Sequence, residues 1–159
     1  VRVWHPGQRW IWQAGGLGVF DPGINALSIL TRIIPGAWLL KSAELAVPSN
    51  CETPSAAHLE LRGPAQTSVD LDFLQTGTQT WDIDVHTDAG HLRLSLGASI
   101  MAIDDQPVDL PQTAEYPNLY AHFAALVKQG SSEVDVSPLQ LVADAFLSGR
   151  RVAAAPFIE

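Results

Sequence analysis

The chain has 159 residues, 47% of them hydrophobic and only 16% charged, a length that suits one domain with a real core. Nine basic residues face seventeen acidic ones, a formal charge of −8, which excludes the basic stripe that nucleic-acid binding requires. The lone cysteine, Cys51, excludes an internal disulfide framework and a paired-cysteine metal knuckle, and without a bilayer-length apolar run or a signal peptide the chain reads as soluble, cytoplasmic and without a membrane partner.

Residues 1–13 read as strand, with Val3, Trp4, Trp10, Ile11 and Trp12 broken by a turn at His5-Pro6-Gly7. Strand-like alternation from Val1 onward suggests a domain whose N-terminal partner is absent. Gly15, Gly16 and Gly18 form a loop. Asp21-Pro22 then signals a helix start, an acidic cap with proline behind it. Ile24, Leu27, Ile29, Leu30, Ile33 and Ile34 fill a largely buried helix of about four turns, which Pro35-Gly36 stops.

From Trp38 to about Leu110 the period becomes two. Leu59 and Leu61 alternate with His58, Glu60 and Arg62; Val69, Leu71 and Phe73 alternate with Ser68, Asp70 and Asp72. Trp81, Ile83 and Val85 alternate with Asp82, Asp84 and His86; Leu92, Leu94 and Leu96 alternate with His91, Arg93 and Ser95. Four such strands joined by glycine-containing turns predict one antiparallel meander with a greasy face and a polar face. Helices return near Tyr116, with a stripe of Leu119, Phe123, Leu126 and Val127 ending at Gly130. Ser137-Pro138 starts the last helix with a hydroxyl cap, Leu139, Val142, Phe146 and Leu147 face the core, and Gly149 closes it. The fold class is α+β: a mostly antiparallel open sheet with helices packed on one face, residues 1–159 forming a single domain.

Chemistry is sparse. Gly16 and Gly18 supply two positions of a dinucleotide fingerprint, but Asp21 stands where the third glycine belongs, so this chain has no nucleotide site of its own. Asp21 and Asn25 are four residues apart, on one face at a helix start. A carboxylate and a carboxamide there suit adjacent hydroxyls of a polyol, although Asp21 equally reads as a plain cap and Asn25 as solvated. His5 beside Trp4 offers a donor and an aromatic face for a sugar ring, or merely a structural turn. Trp81 reads as core or pocket wall. Asp70, Asp72, Asp82, Asp84, His86 and His91 share the polar sheet face. Such a set can ligate a metal, but pairing with Arg62 and Arg93 is the simpler account, so no metal is assigned. Cys51 has no activating neighbour in sequence and is given no catalytic role.

The run VRVWHPGQRWIWQAGGLGVFDPGINALSILTRIIPG resembles the start of the C-terminal domain in the Gfo/Idh/MocA oxidoreductases, glucose–fructose oxidoreductase and its relatives. It is most similar to the subgroup of sugar 1-dehydrogenases acting on D-galactose and L-arabinose. The segment EYPNLYAHFAALVKQGSSEVDVSPLQLVADAFLSGRR resembles the family's closing helices. Many members carry Asp-x-x-x-His at the helix start, whereas this chain has Asp21 and Asn25, a departure associated with that subgroup.

The resemblance implies the substrate-binding and oligomerisation half of an enzyme that oxidises an aldopyranose at C1 to the lactone. NAD or NADP is bound mainly by an N-terminal Rossmann domain outside this chain, which holds no cofactor of its own. It implies Asp21 as the catalytic residue near C1, Asn25 and His5 as hydroxyl contacts, and Trp4 and Trp81 as stacking walls. The implied partners are the sugar, the chain's own dinucleotide-binding domain and a second copy through the sheet face. The isolated domain is expected to be inactive. A sugar-sensing regulator of the same fold and a pure dimerisation module are the competing readings.

Overall fold

The computed structural model describes residues 7–74, 76–77, 81–110 and 115–158. The chain divides into two compact units, Val1–Gln75 with Asp135–Glu159, and Thr76–Val134.

In the first unit a 3-10 turn, Arg9–Trp12, precedes helix α1, Phe20–Ile33. Strands β1 (Leu39–Pro48), β2 (Ala56–Arg62) and β3 (Thr67–Asp72) follow. Helix α3 (Ser137–Ser148) and strand β8 (Arg150–Ala154) return from the far end of the chain. The sheet order is β3-β2-β1-β8, antiparallel except where β8 runs parallel to β1. Alternation in β2 explains its seat: Ala57, Leu59 and Leu61 are buried, while His58 and Arg62 face out. Helix α3 packs on β1 and against α1, so both helices cover the greasy face and leave the polar face open.

Sequence and structure differ here in instructive ways. Trp10, Ile11 and Trp12 form the 3-10 turn instead of a strand, because local aromatic content cannot supply a pairing partner. Only Phe20, Gly23 and Leu27 of α1 are buried, and Ile33 is half-exposed; the helix is an amphipathic stripe on the sheet, not an enclosed rod. Ser137 is the first residue of α3, and its N–H donates to Asp135 Oδ1 at 2.9 Å. Asp135 thus does the work expected of the Ser137 hydroxyl, and its carboxyl is held below the usual range by hydrogen bonds from Ser137. The core side of α3 is Pro138, Leu141, Val142 and Ala145; Leu139 and Leu147 point to solvent.

The second unit is a separate meander, β4 (Ile83–Thr87), β5 (Gly90–Ser95), β6 (Ile100–Ile103) and β7 (Gln106–Val108), with helix α2, Glu115–Gln129. The four strands expected to form one sheet are therefore divided, β2 and β3 pairing with β1 while β4 and β5 pair with β6. Asp104 and Asp105 both have positive φ in the β6–β7 turn, the geometry of a type I′ hairpin that short polar side chains tolerate. The α2 stripe exists, but Leu119, Phe123 and Val127 are exposed and Leu126 half-buried.

On the open face of the first sheet, Arg150, Glu44, His58 and Asp70 are register partners in one row across all four strands. Arg150 pairs with Glu44, and His58 Nδ1 lies 2.7 Å from Asp70 Oδ1. Charge alternates along the row, which is what cross-strand neighbours favour. The Asp70 hydrogen bond raises the His58 pKa above its ordinary value. A raised folded-state pKa means protonated His58 favours the fold below about pH 6.5 and loses that contribution as pH rises through the folded value. The stability difference between the parent and His58→Gln, followed by urea unfolding, is expected to be largest near about pH 5.5 and to vanish at alkaline pH; a pH-independent difference would contradict the pairing.

Candidate functional site

The start of α1 is held by backbone contacts that only glycine permits. Gly18 N–H donates to Ile11 O at 2.9 Å, Val19 N–H to Pro54 O at 2.8 Å, and the buried Thr53 hydroxyl to Ile11 O at 2.7 Å. Gly18 has φ +56°, and a Cβ there would lie 2.3 Å from Pro54 O; one on Gly16 would lie 2.4 Å from Trp10 O. These glycines exist so that the loop can press against the 3-10 turn and the loop after β1.

That arrangement decides what the glycine loop can bind. The N–H groups of Gly16, Gly18, Val19, Phe20 and Asp21 all donate to backbone carbonyls. A pyrophosphate cradle needs such donors free, so these residues do not fit a dinucleotide.

Asp21 lies in the first turn of α1, one residue inside the helix instead of at its cap, which is Val19. Its carboxylate is half-exposed and, among the described residues, accepts no hydrogen bond. Asn25 is exposed one turn further on. Residues four apart stand about 5–6 Å from each other on a helix surface, so a free carboxylate and a free carboxamide project side by side. The positive end of the helix dipole keeps a negative charge acceptable there. Together they can bracket two neighbouring hydroxyls, one accepting a proton or hydrogen bond and the other donating and accepting.

The remaining expected residues are distributed differently. Trp4 and His5 lie outside the described residues. Trp81 belongs to the second unit, where it is half-exposed just before β4 and its carbonyl accepts the Gly97 N–H at 3.2 Å. Gln8, which no motif singles out, stands at the N-cap of the 3-10 turn, and its buried Oε1 has no partner among the described residues. An open hollow lies between the glycine loop, Cys51–Thr53, Phe146 and Arg151. Part of its polar lining is already engaged: Arg151 donates to Glu52 O at 2.6 Å, and Thr53 to Ile11 O. Burial pushes the Cys51 thiol up, away from the reactive thiolate. Asp21 and Asn25 on α1 lie outside the lining of this hollow.

No protein-family model matches the chain. It is 45% identical over 161 residues to the galactose 1-dehydrogenase of Pseudomonas fluorescens, covering 100% of this chain and 53% of that protein. It superposes on the crystal structure of D-galactose-1-dehydrogenase from Rhizobium etli with a TM-score of 0.88 and 48% identity, over 99% of this chain and 51% of that one, which is its C-terminal domain. A 3-ketoreductase from Actinomadura kijaniata, crystallised with TDP-benzene and NADP, matches at a TM-score of 0.70 and 13% identity, a likeness of fold alone. The α+β architecture is that of Gfo/Idh/MocA-type oxidoreductases. The chain spans about half the length of the relatives it matches. No helix among the described residues is long and apolar enough to cross a membrane.

The contacts at Gly18 set the expectation for a substitution there. Gly18→Ala combines a positive φ with a backbone collision and should destabilise the chain by roughly 3 kcal/mol, read as a lowered urea midpoint with an unchanged slope. A change within about 0.5 kcal/mol would show that α1 does not depend on this approach.

Proposed function

We infer that this chain, similar along its whole length to the C-terminal half of the galactose 1-dehydrogenases, is the substrate-side half of an NAD(P)-dependent sugar 1-dehydrogenase. Its substrate is an aldopyranose such as D-galactose or L-arabinose, oxidised at C1 to the lactone. The observation that carries the reading is the half-exposed Asp21 carboxylate, without a hydrogen-bond partner among the described residues, beside Asn25 on the first turns of α1, in a chain 45% identical to an enzyme of that name.

Oxidising a hemiacetal carbon removes a hydride from C1 and a proton from its hydroxyl. The hydride acceptor, NAD or NADP, belongs to the dinucleotide-binding domain that completes the enzyme, since the glycine loop here has spent its donors on its own backbone. What this chain supplies is orientation and the fate of the proton. Asp21 accepts a hydrogen bond from the C1 hydroxyl and draws its proton as the carbonyl forms. Asn25, able both to donate and to accept, holds an adjacent hydroxyl and helps select its configuration. His5 contacts a further hydroxyl, and Trp4 furnishes a flat apolar face for the ring. The open polar face of the first sheet is where a second copy would pair. Cytoplasmic residence fits a protein that uses a nicotinamide cofactor.

The test uses the intact enzyme, with NADH and NADPH formation followed by absorbance across galactose, arabinose, fucose, glucose, xylose and inositol. Turnover on one or more aldopyranoses is expected, and Asp21→Ala should lower kcat about 10²–10⁴-fold with a smaller change in KM. Asn25→Ala should act chiefly on KM. Sugar binding without turnover in the parent enzyme, or normal turnover in Asp21→Ala, would overturn the assignment.

A further inference from the structure

The β4–β5 hairpin of the second unit brings two histidines and an aspartate together. His86 and His91 are register partners. The His91 N–H donates to Asp104 Oδ1 and its carbonyl accepts the Asp104 N–H, both at 2.8 Å. With its backbone groups turned toward the Asp104 turn, His91 meets His86 as a non-hydrogen-bonded pair, the kind whose side chains approach most closely. Their imidazoles stack with centroids 4.1 Å apart and planes 4° from parallel. Asp84, two residues before His86, projects from the same face, and its Oδ1 lies 2.9 Å from His91 Nε2.

We propose that Asp84, His86 and His91 form a binding site for a divalent transition-metal ion of the zinc type. One ligand atom from each of the three lies within 4.8 Å of the others. A tetrahedral ion with bonds of about 2.0–2.1 Å needs its ligands roughly 3.3 Å apart, a convergence that side-chain rotation on an exposed hairpin face supplies. Two imidazoles and one carboxylate form a donor set that suits Zn²⁺, Co²⁺ or Ni²⁺ and not the oxygen-seeking Mg²⁺ or Ca²⁺. Both contacts of the Asp84 carboxylate among the described residues, to His91 and to Arg93 Nε at 3.7 Å, use Oδ1, which leaves Oδ2 open to a cation. Asp82, 3.6 Å from Arg93 Nη2, takes up part of the guanidinium charge that would otherwise oppose the ion. With three protein ligands the fourth position falls to water, and the ion clamps β4 to β5 across their turn.

Isothermal titration of the intact protein with Zn²⁺ alone, and the visible absorbance of added Co²⁺, read the site directly. One equivalent per chain is expected, with a rise in melting temperature on binding. His86→Ala, at an exposed position on the hairpin, should weaken binding roughly tenfold or more, as should His91→Ala and Asp84→Asn. His58→Ala and His122→Ala, which remove histidines elsewhere on the surface, should leave it unchanged. No saturable binding below about 1 mM, or binding that survives the His86→Ala/His91→Ala double substitution, would overturn the proposal.

Discussion

The backbone bond from Val19 N–H to Pro54 O, made possible by the missing Cβ of Gly18, is the constraint from which the geometry of the first unit proceeds. It ties the start of α1 to the loop that follows β1, so the helix begins at a defined place on the sheet. Close approach likewise explains Gly16 and Gly18, which answer to the carbonyls of Trp10 and Pro54. It also fixes what remains for chemistry. Once the N–H groups of the first turn are committed inward, the groups left facing outward are the side chains of Asp21 and Asn25. A helix start that resembles a phosphate loop by its glycines is thus suited instead to hydroxyl recognition.

Histidine and aspartate recur on both sheets, and geometry separates what they can do. On the first sheet His58 sits between Asp70 and Glu60, so its ring nitrogens face carboxylates and its protonated form is favoured. On the second, His86 and His91 face each other and share one carboxylate. An imidazole coordinates a metal through a ring-nitrogen lone pair, and here two such rings stand stacked beside one carboxylate. The first arrangement is a charge ladder across strands; the second is a set of lone pairs awaiting a cation.

Much of the fold is legible in the residues themselves. Period-two runs in 59–61, 69–73, 83–85 and 92–94 mark strands correctly, because alternation reports which side of a pleat is wet. The end of α1 before Pro35 is legible from proline chemistry, whereas the helix starts at Phe20, earlier than the Asp21-Pro22 pair suggests. The pairing of Asp21 with Asn25 on one face follows from helical geometry alone. Less visible was the start of α3, where the sequence points to the Ser137 hydroxyl but the Asp135 carboxylate accepts the Ser137 N–H. The metal-ligating potential of Asp84, His86 and His91 was visible as residue types, but their convergence depends on the register of one hairpin.

By itself, then, the sequence determined the α+β class, the alternation that separates greasy from polar faces, the lack of a nucleotide fingerprint and the carboxylate–carboxamide pair on α1. These are local properties, set by side-chain periodicity and by the φ restrictions of glycine and proline. The tertiary structure decided which strands share a sheet, that residues 9–12 coil into a 3-10 turn, that Leu147 faces water while Leu141 is buried, and that β8 crosses the length of the chain to pair with β1. Strand partnership leaves no local trace, because an amphipathic strand reads the same whichever neighbour completes its hydrogen bonds. The placement of catalytic and ligating groups inherits that dependence.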